Sequence, residues 1–226
     1  MASTITALST GAGGLSQSGD LTGALALRTN NGTTALTLDT SQNATFAGTI
    51  NSGSITSTGT VSGATGTLYP LVASTAVNTT SGTSIDFTGI PSWVKRITIL
   101  FSNVSTSGSS PLLIQIGNGS VEITGYAGVG IGATGANTTS GVATVSTGFP
   151  TDANNQAAAA TSRNGTITIA LVTGTTYAYS SVISGNAYCT MVGATKTTSA
   201  IIDRVRITST VGTDTFDAGV INILYE

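Results

Sequence analysis

Apolar residues in the later two thirds of the chain recur at every second position. Ile97, Ile99 and Phe101 do so, as do Leu112, Ile114 and Ile116, Ile167, Ile169 and Leu171, Val205 and Ile207, and Ile221, Ile223 and Tyr225. A repeat of two is the side-chain repeat of a strand, and no stretch between these runs carries the three-to-four spacing of an amphipathic helix. Shorter candidates lie at 69–73, 84–88, 121–123 and 187–192. Many short strands separated by Gly, Ser and Asn turns predict one all-β domain, a sandwich or jelly roll, over residues 67–226. About 160 residues are enough for an independent core. The stretch 125–165, rich in Gly, Ala, Asn and Ser, reads as a long segment with little structure of its own, a length that is usually functional or packed on a partner.

Before residue 68 the texture differs. Residues 1–19 are a small-residue lead that cannot bury a core alone and is read as an attachment segment. Asn31-Gly32 is the pair a type I′ turn prefers, because both central positions need positive φ. A two-residue loop there sets Leu27 opposite Leu36, Ala26 opposite Thr37 and Leu25 opposite Leu38, with four leucines on one face. Residues 39–43 read as the next turn and Phe46 as the next inward side chain. Gly48-Thr49-Ile50, Gly53-Ser54-Ile55 and Gly59-Thr60-Val61 then repeat glycine, a hydroxyl residue and a β-branched residue. Each unit offers one aliphatic side chain, too little for a core within one chain. The competing reading is a flexible linker. Regular placement of β-branched residues favours cover by symmetric copies: Leu25, Leu27, Leu36, Leu38, Phe46, Ile50, Ile55 and Val61 are the expected self-association residues of a β shaft over 20–66. Three copies satisfy this most simply.

Composition narrows function. Only 7% of the 226 residues are charged, against about 25% in an ordinary soluble domain. Seven Lys and Arg against nine Asp and Glu cannot neutralise a row of phosphates, which argues against nucleic-acid binding. A mean hydropathy of +0.30 comes from scattered aliphatics, not from the roughly 18 consecutive apolar residues of a spanning helix, and membrane insertion is not expected. The first residues lack a basic and then apolar leader, which implies assembly in the cytoplasm. With no histidine there is no Ser/His/Asp or Cys/His arrangement and no imidazole metal ligand. Gly130, Gly132 and Gly135 spell G-x-G-x-x-G, a weak match in a chain with 29 glycines and no helical period following. Neither an enzymatic activity nor a cofactor nor a metal is expected.

Individual side chains offer further candidates. Tyr177 and Tyr179, two apart on a strand, project from one face and form a candidate platform for a host-surface sugar, with Tyr126 beside the Gly-rich stretch as a third candidate. The competing reading is a half-buried face or subunit contact, and the scarcity of aromatics favours it. Trp93 reads as a cap on the sandwich edge, and Cys189, alternating with Met191, as a small buried hydrophobe. Asp214 with Asp217, or Asp86 with Asp203, are carboxylate pairs to test for glycoside hydrolysis, with turn-forming Asp the commoner explanation. Asp152, Asn154 and Asn155 make an oxygen-rich loop without the acidic density of a calcium site.

Leu25-Ala-Leu-Arg-Thr-Asn-Asn-Gly-Thr-Thr-Ala-Leu-Thr-Leu-Asp39 and Asn43-Ala-Thr-Phe-Ala-Gly-Thr-Ile50 resemble shaft segments of bacteriophage tail fibres. Ile85-Asp-Phe-Thr-Gly-Ile-Pro-Ser-Trp-Val-Lys-Arg-Ile-Thr-Ile99 looks like the lead-in to the β-sandwich tip of tail-fibre-like virion proteins. The resemblance spans about a third of the chain. It implies a homotrimeric structural protein of the virion, attached to other virion proteins by its N-terminal segment and contacting a host-cell receptor, such as a glycan, through its C-terminal head. The repeat region is tens of residues long rather than hundreds, which keeps a capsid decoration or cement protein, or a head fibre, as the alternative.

Overall fold

The computed structural model describes residues 25–29, 33–48, 50, 61–63, 66–134, 139–143, 146–152 and 158–226. Every regular element among them is a β-strand. The chain divides into two compact units, 1–60 and 61–226.

In the first unit, β1 (Leu25–Thr29), β2 (Thr33–Leu38) and β3 (Ala44–Phe46) form an antiparallel sheet in that order. Leu25 pairs with Leu38, Ala26 with Thr37 and Leu27 with Leu36, the register expected from the sequence. Nearer the turn it slips. Arg28 pairs with Thr34 and Thr29 with Thr33, so Ala35 is the extra residue of a bulge and the strands close one residue earlier than a two-residue loop requires. Asn31 and Gly32 themselves lie outside the described residues. The turn at 39–43 forms as the sequence predicts. The Asp39 carboxylate accepts from the backbone N–H of Ser41 and of Asn43, each at 2.9 Å, and from the Asn43 amide, also at 2.9 Å. Gln42 takes a φ of 66° inside it. These bonds return the chain so that Phe46 pairs with Leu36.

The second unit opens with a two-stranded ribbon, β4 (Val61–Gly63) and β5 (Gly66–Leu68). Two larger antiparallel sheets follow. The small one contains β8 (Ser84–Thr88), β10 (Leu112–Asn118), β11 (Ser120–Val121), β14 (Phe149–Pro150) and β18 (Arg204–Ser209), with β18 between β10 and β8. The large one runs β13 (Thr139–Ala143), β12 (Tyr126–Thr134), β17 (Tyr188–Thr197), β16 (Thr176–Ser184), β15 (Arg163–Thr173), β9 (Arg96–Thr106), β19 (Phe216–Tyr225) and β6 (Val72–Ala73), with β7 (Val77–Asn78) also on β19. Alternate residues of both sheets meet in one core. Phe87, Ile114, Ile116, Val205 and Ile207 enter from the small sheet; Ile97, Ile99, Ile167, Ile169, Ile221 and Ile223 enter from the large one. Trp93 packs on the core margin, stacked on Tyr69 with ring centroids 4.4 Å apart, as an edge cap should.

Three sequence expectations are corrected. The stretch 125–165 is not largely structureless: it supplies β12, β13 and β14. Glycine is depleted in strands, which hides β12 in the sequence, yet close packing demands it here. A Cβ on Gly130 would lie 2.7 Å from Val192 Cγ2, and one on Gly128 would lie 2.2 Å from the Ala194 Cβ. Strand β10 does not alternate between core and solvent, because Leu113 and Gln115 are buried on its other face. The segment at 147–148 lies over them: a Cβ on Gly148 would stand 3.1 Å from Leu113 Cβ and 3.3 Å from Gln115 Cγ. Cys189 is exposed, not buried, since β17 turns that face outward.

Candidate functional site

The outward side chains of the small sheet align in rows across three strands. Gln115 of β10 stands opposite Arg206 of β18, which stands opposite Asp86 of β8. One step along, Leu113 stands opposite Thr208, which stands opposite Ser84. This follows from alternation: Val205 and Ile207 point into the core, so Arg206 and Thr208 point away. Gln115 and Arg206 of the first row and Leu113, Thr208 and Ser84 of the second line a groove of about 360 Å³ together with Ile123, Thr147 and the turn at 210–212, while Asp86 lies outside the lining.

Hydrogen bonds fix most of the floor. Arg206 grips Asp86 with a two-point fork, Nε to Oδ1 at 2.7 Å and Nη2 to Oδ2 at 3.0 Å. The hydrogen bond to Asp86 outweighs the opposing effect of burial and, with a further contribution from the charge of Asp86, raises the Arg206 guanidinium above its usual value. The Ser84 hydroxyl donates to Asp86 Oδ2 at 3.3 Å. Gln115 donates through Nε2 to the Thr147 carbonyl at 3.0 Å, and Thr208 donates through its hydroxyl to the Thr83 carbonyl at 2.9 Å. Ile123 and Val211 stand exposed on the rims. The lining is therefore mostly polar, with Arg206 its one charged residue, paired with Asp86, and with Ile123 and Val211 exposed beside it.

The sequence-predicted binding tyrosines lie elsewhere. Tyr126, Tyr177 and Tyr179 are 5%, 3% and 3% exposed, and all three join the core. Tyr177 and Tyr179 do share one face, as their spacing predicts, but that face is the inner one. Phe149 packs edge-on to Tyr126 at 4.8 Å and stacks on Tyr179 at 4.5 Å. The Tyr126 hydroxyl accepts from the Ile116 N–H at 2.8 Å and donates to the Glu122 carbonyl at 2.9 Å. Tyr179 donates to the Pro150 carbonyl at 3.0 Å, and the Tyr177 hydroxyl accepts from the Ile202 N–H at 3.1 Å. Burial pushes the Tyr126 phenol up to about 12 and raises Tyr177 and Tyr179 as well. Enclosed rings cannot present a face to a sugar, and the expectation of a tyrosine platform is withdrawn.

The carboxylates raised by the sequence are each committed to another partner. Asp86 is held by Arg206; Asp203 by Arg204 at 2.8 Å and by the Gly119 N–H at 3.1 Å. Asp214 accepts from the Ser110 N–H at 3.0 Å, and Asp217 from the Ser105 hydroxyl. Asp152 forms a buried pair with Arg163, while Asn154 and Asn155 lie outside the described residues. Among the described residues, no group of three acidic, Cys or His side chains is placed to hold a metal. The glycines at 130 and 132 sit within β12 rather than in a loop before a helix, the context a phosphate cradle needs.

The self-association residues expected from the sequence split in two. Leu25, Leu27 and Phe46 are 42%, 44% and 48% exposed, and Leu36 and Leu38 are half-buried, so one face of the first sheet is an apolar patch. Ile50 is exposed too. Ile55 lies outside the described residues, and so does the side chain of Val61. A second apolar surface, missed in the sequence, crosses the large sheet: Ile131 stands opposite Met191, which stands opposite Val182, and all three are exposed, with Val129 nearby.

No protein-family model, no curated protein and no solved structure matches this chain.

Proposed function

We propose that the chain is a structural protein of a bacteriophage virion, a tail fibre whose first unit assembles as a homotrimeric β shaft. Its second unit is a jelly-roll-like β-sandwich head that contacts the host surface. The observation that carries this reading is the uncovered leucine and phenylalanine face of β1, β2 and β3. Side chains of this kind contribute about 1.5–3 kcal/mol each only when something covers them, and a small isolated sheet is marginal in water. Identical copies meeting at a symmetry axis supply that cover without adding charge. Residues 1–19 would attach the fibre to the particle.

Sedimentation equilibrium of the full chain tests the assembly: a trimer is expected for the wild type and a monomer for Leu27→Asp. A well-folded wild-type monomer at micromolar concentration overturns the shaft. Labelling the protein on intact particles and competing adsorption with purified protein test the role; label at the tail and blocked adsorption are expected.

The exposed row Ile131, Met191 and Val182 favours a second reading, a capsid decoration or cement protein docking by that sheet. It predicts label on the shell, fragile particles when the protein is deleted, and unchanged adsorption.

A further inference from the structure

We infer that the outer face of the large sheet, centred on β17, is a weak two-fold contact between copies of this chain. The contact concerns the second unit alone and is independent of the shaft and of where the protein sits on a particle.

Gly193 marks the place. Glycine weakens the interior of a strand and often occurs where another backbone or a ligand comes close. Gly128 and Gly130 on the neighbouring β12 answer to crowding within the chain, but a Cβ on Gly193 would meet nothing within 4 Å. Its φ is not positive, and both ladders of β17 pass it in regular register. The fold of one copy therefore gives no reason for glycine there. The missing side chain leaves a shallow hollow of about 490 Å³ on the outer face, lined by Val129, Ile131 and Met191 around Gly193.

A knob lies two residues away. Met191 points from β17 to the same side and is 56% exposed, and side chains two apart on a strand stand about 6.7 Å from each other. A two-fold axis lying in the contact plane, across β17 at the level of residue 192, reverses the strand and sets Met191 of each copy over Gly193 of the other. The row Ile131, Met191, Val182 of one copy then meets the row Val129, Gly193, Ser180 of the other. The patch is complementary to itself, as an isologous contact requires. Methionine, flexible and polarisable, suits a hollow of this kind.

Charge and area select a second copy as the occupant. Among the described residues that face outward from β12, β17, β16 and β15, none is Lys, Arg, Asp or Glu. A charged partner finds no counter-charge on this face, whereas two copies meet without repulsion. At ordinary strand and residue spacings the uncharged face covers about 500 Å². Two copies would bury about 1,000 Å², the size of a transient contact rather than of a permanent dimer. Copies crowded on one assembly reach millimolar effective concentrations, at which such a contact is occupied.

Sedimentation velocity of the full chain carrying Leu27→Asp, from micromolar to millimolar concentration, tests the contact apart from the shaft. A monomer when dilute and a dimer in the high micromolar range are expected. Met191→Glu is expected to weaken the dimer at least tenfold. Gly193→Met separates fit from general stickiness: it adds apolar surface and has room within the chain, so it should keep the thermal unfolding midpoint while weakening the dimer at least fivefold. The exchanged pair Met191→Gly with Gly193→Met should recover the dimer, because knob and hollow trade places about the same axis. A chain that stays monomeric at millimolar concentration, a dimer indifferent to both single variants, or one tightened by Gly193→Met overturns the inference. Purified shells that bind through this face, with no self-association, overturn it too and give the face to the shell. Whichever species the dilute chain forms, the contact is read in the concentration-dependent step above it, so failure of the shaft leaves this test intact.

Discussion

Arg163 donates to Asp152 at 2.9 Å with neither side chain exposed to solvent at all. The pair sits where β15 begins and the chain leaves β14, and it ties the two large sheets together. Asp152 accepts from the Leu112 N–H of the small sheet at 2.9 Å and from the Tyr188 hydroxyl of the large sheet at 3.2 Å. Arg163 Nη1 donates to the Thr161 carbonyl at 3.3 Å, and Nη2 has no hydrogen-bond partner among the described residues. Removing two ions from water costs several kcal/mol each, so their mutual attraction mostly offsets that cost rather than adding net stability.

Breaking that pair should be far worse than deleting it. Asp152→Asn should destabilise the second unit by about 3–5 kcal/mol, because Arg163 is left charged and buried. Combining Asp152→Leu with Arg163→Met should cost less than the sum of the two single changes. Urea titrations of the four proteins check the coupling; strict additivity would mean that the two side chains act independently.

Tyr126→Phe isolates the hydroxyl from the ring. The ring contacts with Phe149 survive, but the Ile116 N–H loses its 2.8 Å acceptor in the interior. A loss of about 1–3 kcal/mol is expected. With the wild-type phenol pushed up to about 12 by burial, ultraviolet titration should show no Tyr126 ionisation below about pH 11, and the variant should show the same rise in phenolate absorbance in that range.

Acid should weaken the second unit partly through Glu122. Burial alone would raise its carboxyl, but hydrogen bonds from Lys196 and Ser199 and the charge of Lys196 outweigh it and hold the group below its usual value of 4.5. Lys196 approaches Glu122 at 2.5 Å while lying over the Tyr126 ring at 5.4 Å. A carboxyl lowered in the folded state adds stability that is fully present above its unfolded value and is lost as pH falls through its folded value. Glu122→Gln should therefore flatten the decline in unfolding midpoint below pH 4.5 relative to the wild type. Parallel curves would show that Glu122 does not contribute.

Period-two alternation identified which residues share a face, but not always which face is inside. Tyr177 with Tyr179 and Cys189 with Met191 are both true pairs, yet the tyrosines face the core and the Cys189 pair faces out. The choice depends on neighbours across the sheet, here Ile131 and Val182 opposite Met191 and its strand, and these are remote in the sequence. The leucine pairs of β1 and β2 were legible although the connection was not: Thr29 pairs with Thr33, and the bulge at Ala35 restores the expected partners at Leu27 and Leu36. Strand β12 was not, since its glycines answer to the close approach of Val192 and Ala194. The groove escaped for a related reason. Arg206 was legible as an outward residue, but its alignment between Gln115 and Asp86 is created by pairing three distant segments.

Strand β9 runs between β15 and β19, with Ile99 opposite both Ile167 and Ile223. One of its neighbours arrives about sixty residues later in synthesis and the other more than a hundred. Until residue 225 has left the ribosome, β9, inside the large sheet, has an open hydrogen-bonding edge. Folding is therefore governed by slow, long-range closure, and a growing chain must be kept from joining that edge to a neighbour's.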